Sequence, residues 1–284
     1  LLSNIRIYIL NTNIKLYYML KQIIDICKLF IIIGIILLLV LFIYKTSKLV
    51  IGNENKGTNE KLKYPKHIAF IMDGNGRWAK KQKQSRLYGH MNGSNNLEDI
   101  FYNCFSNGSQ YLTFYVFAEQ NWKRSPDEIK NIFDIVYKKM KLYMEEQVKY
   151  RILVQGRLDR VPKKLRNLLT KIMERTKNCE KTIILCLDYS GRAEIINACK
   201  NIIQQGLEPT FENFQKCLYV TDIPDPDLII RTSGEQRISD FLLWQLSYSE
   251  FYFTDVYWPD FGLEELEKAI KEYNKRQRRF GIGA

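Results

Sequence analysis

Histidine is scarce in this chain of 284 residues: only His67 and His90 occur. The six cysteines (Cys27, Cys104, Cys179, Cys186, Cys199 and Cys217) form no C-x-x-C pair. Together these absences exclude a zinc-ligand spacing and a thioredoxin-like redox motif. The cysteines read as reduced, mostly buried thiols of a cytosolic domain. Proline is low at 7 and glycine ordinary at 15, with no internal repeat, which excludes collagen-like and low-complexity architectures. No apolar run reaches eighteen residues; the longest, 29–44 (LFIIIGIILLLVLFIY), stops at sixteen.

What is present is a globular balance of 46% hydrophobic and 26% charged residues, which excludes a wholly disordered chain. The length suffices for one large domain with a proper core. The net charge is +12, with half of it (+6) in residues 1–64 and the other +6 spread over 65–284. A nucleic-acid binder concentrates more charge on one face. The expectation is therefore no nucleic-acid partner, and a small anionic substrate or a membrane surface instead.

The sixteen-residue run would span about 24 Å as a helix, against a bilayer core of about 30 Å. Lys28, Lys45 and Lys48 flank it and can snorkel to headgroups. No cleavage pattern of small residues follows, so an uncleaved anchor is expected, contacting lipid through residues 29–44. Residues 5–26 read as an interfacial helix. The chain opens on Leu1 rather than Met, so the natural start is expected upstream. The expected organisation is a hydrophobic anchor segment at 1–50, a polar linker at 51–63 and a folded domain at 64–284.

Within that domain, strand-like and helix-like segments alternate. Strands are expected at 67–72, 111–117, 151–156, 182–187, 227–232 and 250–254. Helices are expected at 92–106, from Ser125-Pro126 onward, and at 162–178, 192–203 and 263–279. This order predicts an α/β fold with a mostly parallel central sheet and helices on both faces, preceded by the apolar N-terminal helix. Ligands on such sheets bind at the carboxyl ends of the strands.

That edge collects the chemistry. Asp73, Asn75, Arg77, Arg86 and His90 follow the first strand. Asn121 and Arg124 follow the second, and 188–192 (DYSGR) the fourth. Arg231, Glu235, Arg237 and Ser239 follow the fifth. Arginine forks match phosphate oxygens. A carboxylate among them repels phosphate unless a cation such as Mg²⁺ bridges the two. The residues thus predict a Mg²⁺-assisted diphosphate site. His67 reads as structural. The segment 74–79 (GNGRWA) also matches a dinucleotide-binding fingerprint, but the acidic residue expected about twenty positions on is missing.

Residues 72–80 (MDGNGRWAK), Gly89-His90, 121–124 (NWKR) and the block 227–261 (DLIIRTSGEQRISDFLLWQLSYSEFYFTDVYWPDF) resemble the cis-prenyltransferases, which include undecaprenyl and dehydrodolichyl diphosphate synthases. The resemblance spans about residues 64–281. It implies a transferase that adds isopentenyl diphosphate to an allylic diphosphate, such as farnesyl diphosphate, with cis stereochemistry. The product would be a long polyprenyl diphosphate, precursor of a dolichol- or undecaprenol-type glycosyl carrier.

It further implies catalytic roles for Asp73 and Asn121, and allylic diphosphate binding by Gly74, Asn75, Gly76, Arg77, Trp78, Arg86 and His90. Trp122 and Arg124 would sit on a mobile loop. Isopentenyl diphosphate would be bound by Arg231, Arg237, Ser239, Arg279 and Gly281. Mg²⁺ would sit on Asp73 and on Glu250 across a homodimer interface. A membrane-associated chain with a cytosolic catalytic domain is implied, at the endoplasmic reticulum in a eukaryote. Where the family reads F-S-x-E-N, this chain has Phe117-Ala118-Glu119-Gln120-Asn121, with Glu119 as the expected replacement carboxylate. Loss of those side chains leaves a noncatalytic, membrane-anchored partner subunit as the alternative.

Overall fold

A computed structural model of the chain describes residues 62–146 and 149–278. The strands are β1 (His67–Ile71), β2 (Tyr111–Ala118), β3 (Arg151–Gln155), β4 (Thr182–Tyr189), β5 (Leu228–Arg231) and β6 (Glu250–Phe253). The helices are α1 (Asn75–Lys81), α2 (Arg86–Asn95), α3 (Leu97–Ser106), α4 (Pro126–Glu145), α5 (Lys163–Thr176), α6 (Gly191–Gln205), α7 (Phe211–Lys216) and α8 (Leu263–Asn274). Two 3-10 turns, Glu119–Lys123 and Trp258–Asp260, complete the described elements.

The strands form one sheet in the order β3-β4-β2-β1-β5-β6, and every neighbouring pair is parallel. The expected mostly parallel sheet is thus wholly parallel among the described residues. The sequence explains this. β1 (HIAFI) and β4 (TIILCLDY) are buried at every position, the pattern of strands covered on both faces. The period of two divides the core accordingly. Ile68, Phe70, Leu112, Phe114, Ile183 and Leu185 face one layer, with Ile100, Phe133, Leu165 and Leu266 from α3, α4, α5 and α8. Ala69, Ile71, Cys186 and Ile229 face the other, with Phe241 and Leu242. α6 joins that second layer through buried Glu194, which accepts from Gln155 Nε2 (3.0 Å) and the Tyr189 hydroxyl (2.6 Å).

Local signals set the helix starts. Ser125 Oγ accepts from the Glu128 amide, Pro126 occupies the first turn, and Asp127 and Glu128 favour the positive end of the dipole. Ser85, Ser190 and Thr210 cap α2, α6 and α7 in the same way.

Several boundaries differ from expectation. The single helix expected at 92–106 is two, meeting at Asn96, whose Nδ2 donates to the carbonyls of Trp258 (3.0 Å) and Pro259 (2.8 Å). The expected break after β1 is short, residues 72–74, and α1 begins at Asn75. The terminal helix ends at Asn274, whose Nδ2 donates to the Lys63 carbonyl (3.0 Å).

His67 enters β1 fully buried. Its Nδ1 donates to the Pro224 carbonyl (2.6 Å) and its Nε2 accepts from the Thr113 hydroxyl (2.7 Å), an arrangement suited to a neutral ring. Burial pushes its pKa down to about 4. The expected anchor at 29–44, the interfacial helix at 5–26 and most of the linker lie outside the described residues. Among the described residues no helix is long and apolar enough to cross a membrane.

Candidate active site

Because all strands are parallel, residues far apart in sequence meet at one edge. Asp73 follows β1 and Arg231 ends β5. Arg231 Nη2 donates to Asp73 Oδ2 at 3.0 Å across 158 positions of sequence. The Arg231 side chain is only 4% exposed, while that of Asp73 is 33% exposed. The guanidinium is thus part of the floor, and the carboxylate faces the opening. Arg231 Nη1 also donates to Ser239 Oγ (2.8 Å) and to the Arg237 carbonyl. Arg77, in the first turn of α1, lies 3.3 Å from Asp73 Oδ1 and donates to Glu235 (2.9 Å) and to Ser233.

Gly74 allows this closeness. Its φ of 102° is unfavourable for other residues, and a Cβ there would fall 2.6 Å from Tyr257 and 2.8 Å from Ser233. A Cβ on Gly76 would meet Arg86 Nε at 2.9 Å.

A second cluster stands beside the first. Glu128 accepts from Arg86 (2.8 Å) and Arg124 (2.9 Å), and its carboxylate is 3.7 Å from His90 Nε2. Burial alone would raise the Glu128 pKa, but Arg124, Arg86 and His90 outweigh it and hold the carboxyl below its usual range. Burial and the Arg124 charge push His90 down, so its ring is neutral near pH 7.

Between the clusters opens a cavity of about 310 Å³. Asp73, Asn75, His90, Asn121, Arg124, Arg231 and Ser239 line it, as do the apolar side chains Leu97, Val116, Ile132, Ile135, Val136, Met140 and Leu185. A wider polar cleft of about 900 Å³ adjoins it, sharing Ala118, Asn121 and Ser239. That cleft includes neither Asp73 nor Arg231 and offers no comparable apolar wall, so the smaller cavity is the better reaction site.

The expected residues divide. Asp73, Asn75, Arg77, Arg231 and Ser239 come together, and Arg86, His90 and Arg124 gather on Glu128. Asn121 lies in the wall between the two cavities, its Oδ1 accepting from the Ala118 amide (3.0 Å). Trp122 turns away and donates to Asp188 (2.8 Å). Trp78 donates to Asp260 (2.7 Å) and stacks on Tyr88, and it does not line the cavity. The Arg237 side chain points to Glu235 and is largely exposed. Glu119, the expected replacement carboxylate, lines the polar cleft and accepts from Arg157 at 2.6 Å. Glu250 opens β6, opposite Leu228, with its carboxylate on Arg276 (2.9 Å). It therefore stands three residues, about 10 Å, toward the other end of the sheet from Arg231. One chain does not bring it to Asp73. Arg279 and Gly281 lie outside the described residues.

Sequence reasoning missed Glu128 and the α4 wall of Ile132, Ile135, Val136 and Met140. The spacing Arg124–Glu128 (i, i+4) and the apolar face of α4 were the available signals.

Among the described residues, no cluster of three His, Cys, Asp or Glu side chains could hold a metal alone. A Mg²⁺ shared with a phosphate ligand needs less, because it takes one or two carboxylates and completes its shell with water and phosphate oxygens. Asp73, partly exposed at the cavity mouth, fits that role. Asn75 Oδ1, buried with no donor bonded to it, packs against Gly93 of α2.

Residues 71–281 match the prenyltransferase family model described as undecaprenyl diphosphate synthase. The chain is 49% identical over 221 residues to an isoprenyl transferase of Fusobacterium nucleatum, covering 76% of this chain and 96% of that protein. It is 42% identical over 230 residues to the isoprenyl transferase of Thermotoga maritima, covering 78% and 98%. Among solved structures it resembles lavandulyl diphosphate synthase from Lavandula x intermedia in complex with dimethylallyl diphosphate. There the TM-score is 0.72 at 31% identity, over 76% of this chain and 98% of that one. Both isoprenyl transferases come from bacteria. With no membrane-crossing helix among the described residues, the expected membrane association and endoplasmic reticulum placement do not stand.

Proposed function

Because the chain belongs to the undecaprenyl diphosphate synthase family of isoprenyl transferases, we propose that it condenses isopentenyl diphosphate onto an allylic diphosphate, with farnesyl diphosphate as starter. The new double bonds are cis and the product is a long-chain polyprenyl diphosphate, a glycosyl-carrier precursor. The single observation that carries this reading is the two-part cavity: a charged end at Asp73 and Arg231 continuing into a wall of Leu97, Val116, Ile132, Ile135, Val136 and Met140. A diphosphate ester of an isoprenoid has that same division between charge and hydrocarbon.

The residues then take separate tasks. The first-turn amides of α1 have no acceptor within the helix, and with Arg77 they cradle the allylic diphosphate. Arg86 and neutral His90 complete that cradle. Breaking the C–O bond builds negative charge on the departing diphosphate, which these donors stabilise without reorganising. The apolar wall keeps water from the allylic carbon and accepts the growing chain. Arg231, Arg237 and Ser239 bind isopentenyl diphosphate, and Asn121 orients it against the allylic carbon. Asp73 would hold Mg²⁺, which when bound neutralises and polarises the leaving diphosphate.

The catalytic unit is proposed to span 64–284 and to work as a homodimer, with Glu250, Arg279 and Gly281 serving a neighbouring subunit's site. Sedimentation of the purified chain as a monomer at assay concentration would refute the dimer.

The deciding experiment is incorporation of labelled isopentenyl diphosphate with farnesyl diphosphate and Mg²⁺, with Asp73→Ala as control and products sized on the same samples. Incorporation into long products that is lost in a folded Asp73→Ala variant supports the assignment. A folded wild-type chain that incorporates nothing sinks it.

A further inference from the structure

Behind the reaction cavity stands a buried carboxylate to which the proposed chemistry assigns no task. Asp188, next to last in β4, has a side chain with no exposure. Its φ of 48° lies in the left-handed region, which a non-glycine residue holds only when its surroundings fix it. Its Oδ2 accepts from Arg160 Nε (2.7 Å) and its Oδ1 from Arg160 Nη2 (2.5 Å), a two-bonded fork. The same Oδ1 accepts from Trp122 Nε1 at 2.8 Å. The Arg160 guanidinium lies 5.2 Å over the Trp122 ring, so one ion pair grips the indole through both its N–H and its face. Other charged groups nearby are Arg157, 3.6 Å from Asp188, Glu119, 3.6 Å from Arg160, and Asp159 beside Arg160 in the chain.

Trp122 belongs to the turn Glu119–Lys123. In that turn Asn121 lines the cavity, and Gln120 donates to Asp240 (3.3 Å), the residue after Ser239. The grip on Trp122 therefore holds the turn against the Ser239 segment from a point that lines neither cavity wall. We infer that Asp188 is a positioning residue: its fork with Arg160 fixes Trp122, and through it the turn that shapes the site for the second, isopentenyl diphosphate substrate. The substrate half of this inference rests on the reaction proposed above; the grip itself does not.

If the turn is correctly placed in only a fraction of molecules, apparent affinity falls by that fraction. Placement falling from nearly all molecules to about one in ten gives about a tenfold rise in KM, with kcat at saturation nearly unchanged. The test compares full-length wild type, Arg160→Met, Asp188→Asn and Asp188→Ala by amide hydrogen exchange and by steady-state kinetics with both diphosphates and Mg²⁺. Arg160 is 39% exposed on a loop, so Arg160→Met serves even where Asp188→Ala does not fold. The expected result is faster exchange across 119–124 with β1, β2 and β5 unchanged. It is accompanied by about a tenfold rise in KM for isopentenyl diphosphate and an unchanged KM for the allylic substrate. Asp188→Asn, which keeps an acceptor for the indole but not the fork, should fall between wild type and Asp188→Ala.

Unchanged exchange at 119–124 in Arg160→Met overturns the inference. So does a fall in melting temperature with both KM values and kcat intact. A wild-type chain without incorporation refutes the reaction and the substrate half, while the exchange comparison still decides the grip.

Discussion

Acidification should destabilise this protein through His67, and the size of the effect follows from one buried ring. The imidazole bonds to the Pro224 carbonyl and the Thr113 hydroxyl with nothing left for water. Burial pushes its pKa from 6.5 to about 4. In the unfolded chain the ring protonates near pH 6.5, so between about pH 6.5 and 4 the unfolded state binds more protons than the folded one. Stability therefore rises with pH across that window and is lost as pH falls through it. The full shift corresponds to about 3 kcal/mol, of which about 2 kcal/mol is lost between pH 7 and pH 5. Urea unfolding at pH 7, 6 and 5 measures the total. Subtracting the same series for His67→Gln isolates this residue from His90 and Glu128, which titrate with the same sign. The stability difference between wild type and variant should shrink by about 2 kcal/mol from pH 7 to pH 5. A difference that stays flat would mean that His67 is not held neutral by burial.

Arg231→Lys should raise KM for isopentenyl diphosphate at least tenfold, because one ammonium cannot replace a planar fork that reaches Asp73, Ser239 and the Arg237 carbonyl together; steady-state kinetics on the folded variant checks it. Gly74→Ala should cost about 3 kcal/mol, from strain at φ 102° and the collisions with Tyr257 and Ser233, read as a lowered urea midpoint. Val136→Phe, which fills the apolar wall, should shorten the products seen by chromatography while leaving the first condensation intact; unchanged product length would remove α4 from the list of chain-contacting walls.

The strands were legible because burial on both faces writes itself as unbroken apolar runs. HIAFI, YLTFYVF and TIILCL each fell within two residues of the observed element. Helix boundaries were less legible where side chains from distant segments set them. Asn96 separates α2 from α3 while bonded to Trp258 and Pro259, a contact that a local window does not contain. The short α1 was hidden by its glycines, which read as a break although only Gly74 adopts the unusual backbone.

The site divides along the same physical line. Residues at or just past the end of a strand, such as Arg231 and Asp73, were placed correctly because a parallel sheet fixes where strand ends lie, and two residues 158 positions apart meet at 3.0 Å as a direct result. Residues one turn further on were not fixed by that rule. Arg237 and Trp78 carry suitable side chains, yet Glu235 and Asp260 draw them aside. Glu250 shows the limit most clearly. It lies on a strand of the right sheet, but at the opening end, and about 10 Å of register separates it from the edge where Arg231 stands. Spacing along the sequence locates a residue on a strand, and only the strand's direction tells which end of the sheet it serves. For Glu250 to act on the diphosphates it must do so in another chain's site. A mixed dimer of Asp73→Ala and Glu250→Ala subunits would then regain activity in one of its two sites, whereas two same-chain requirements would leave both sites dead.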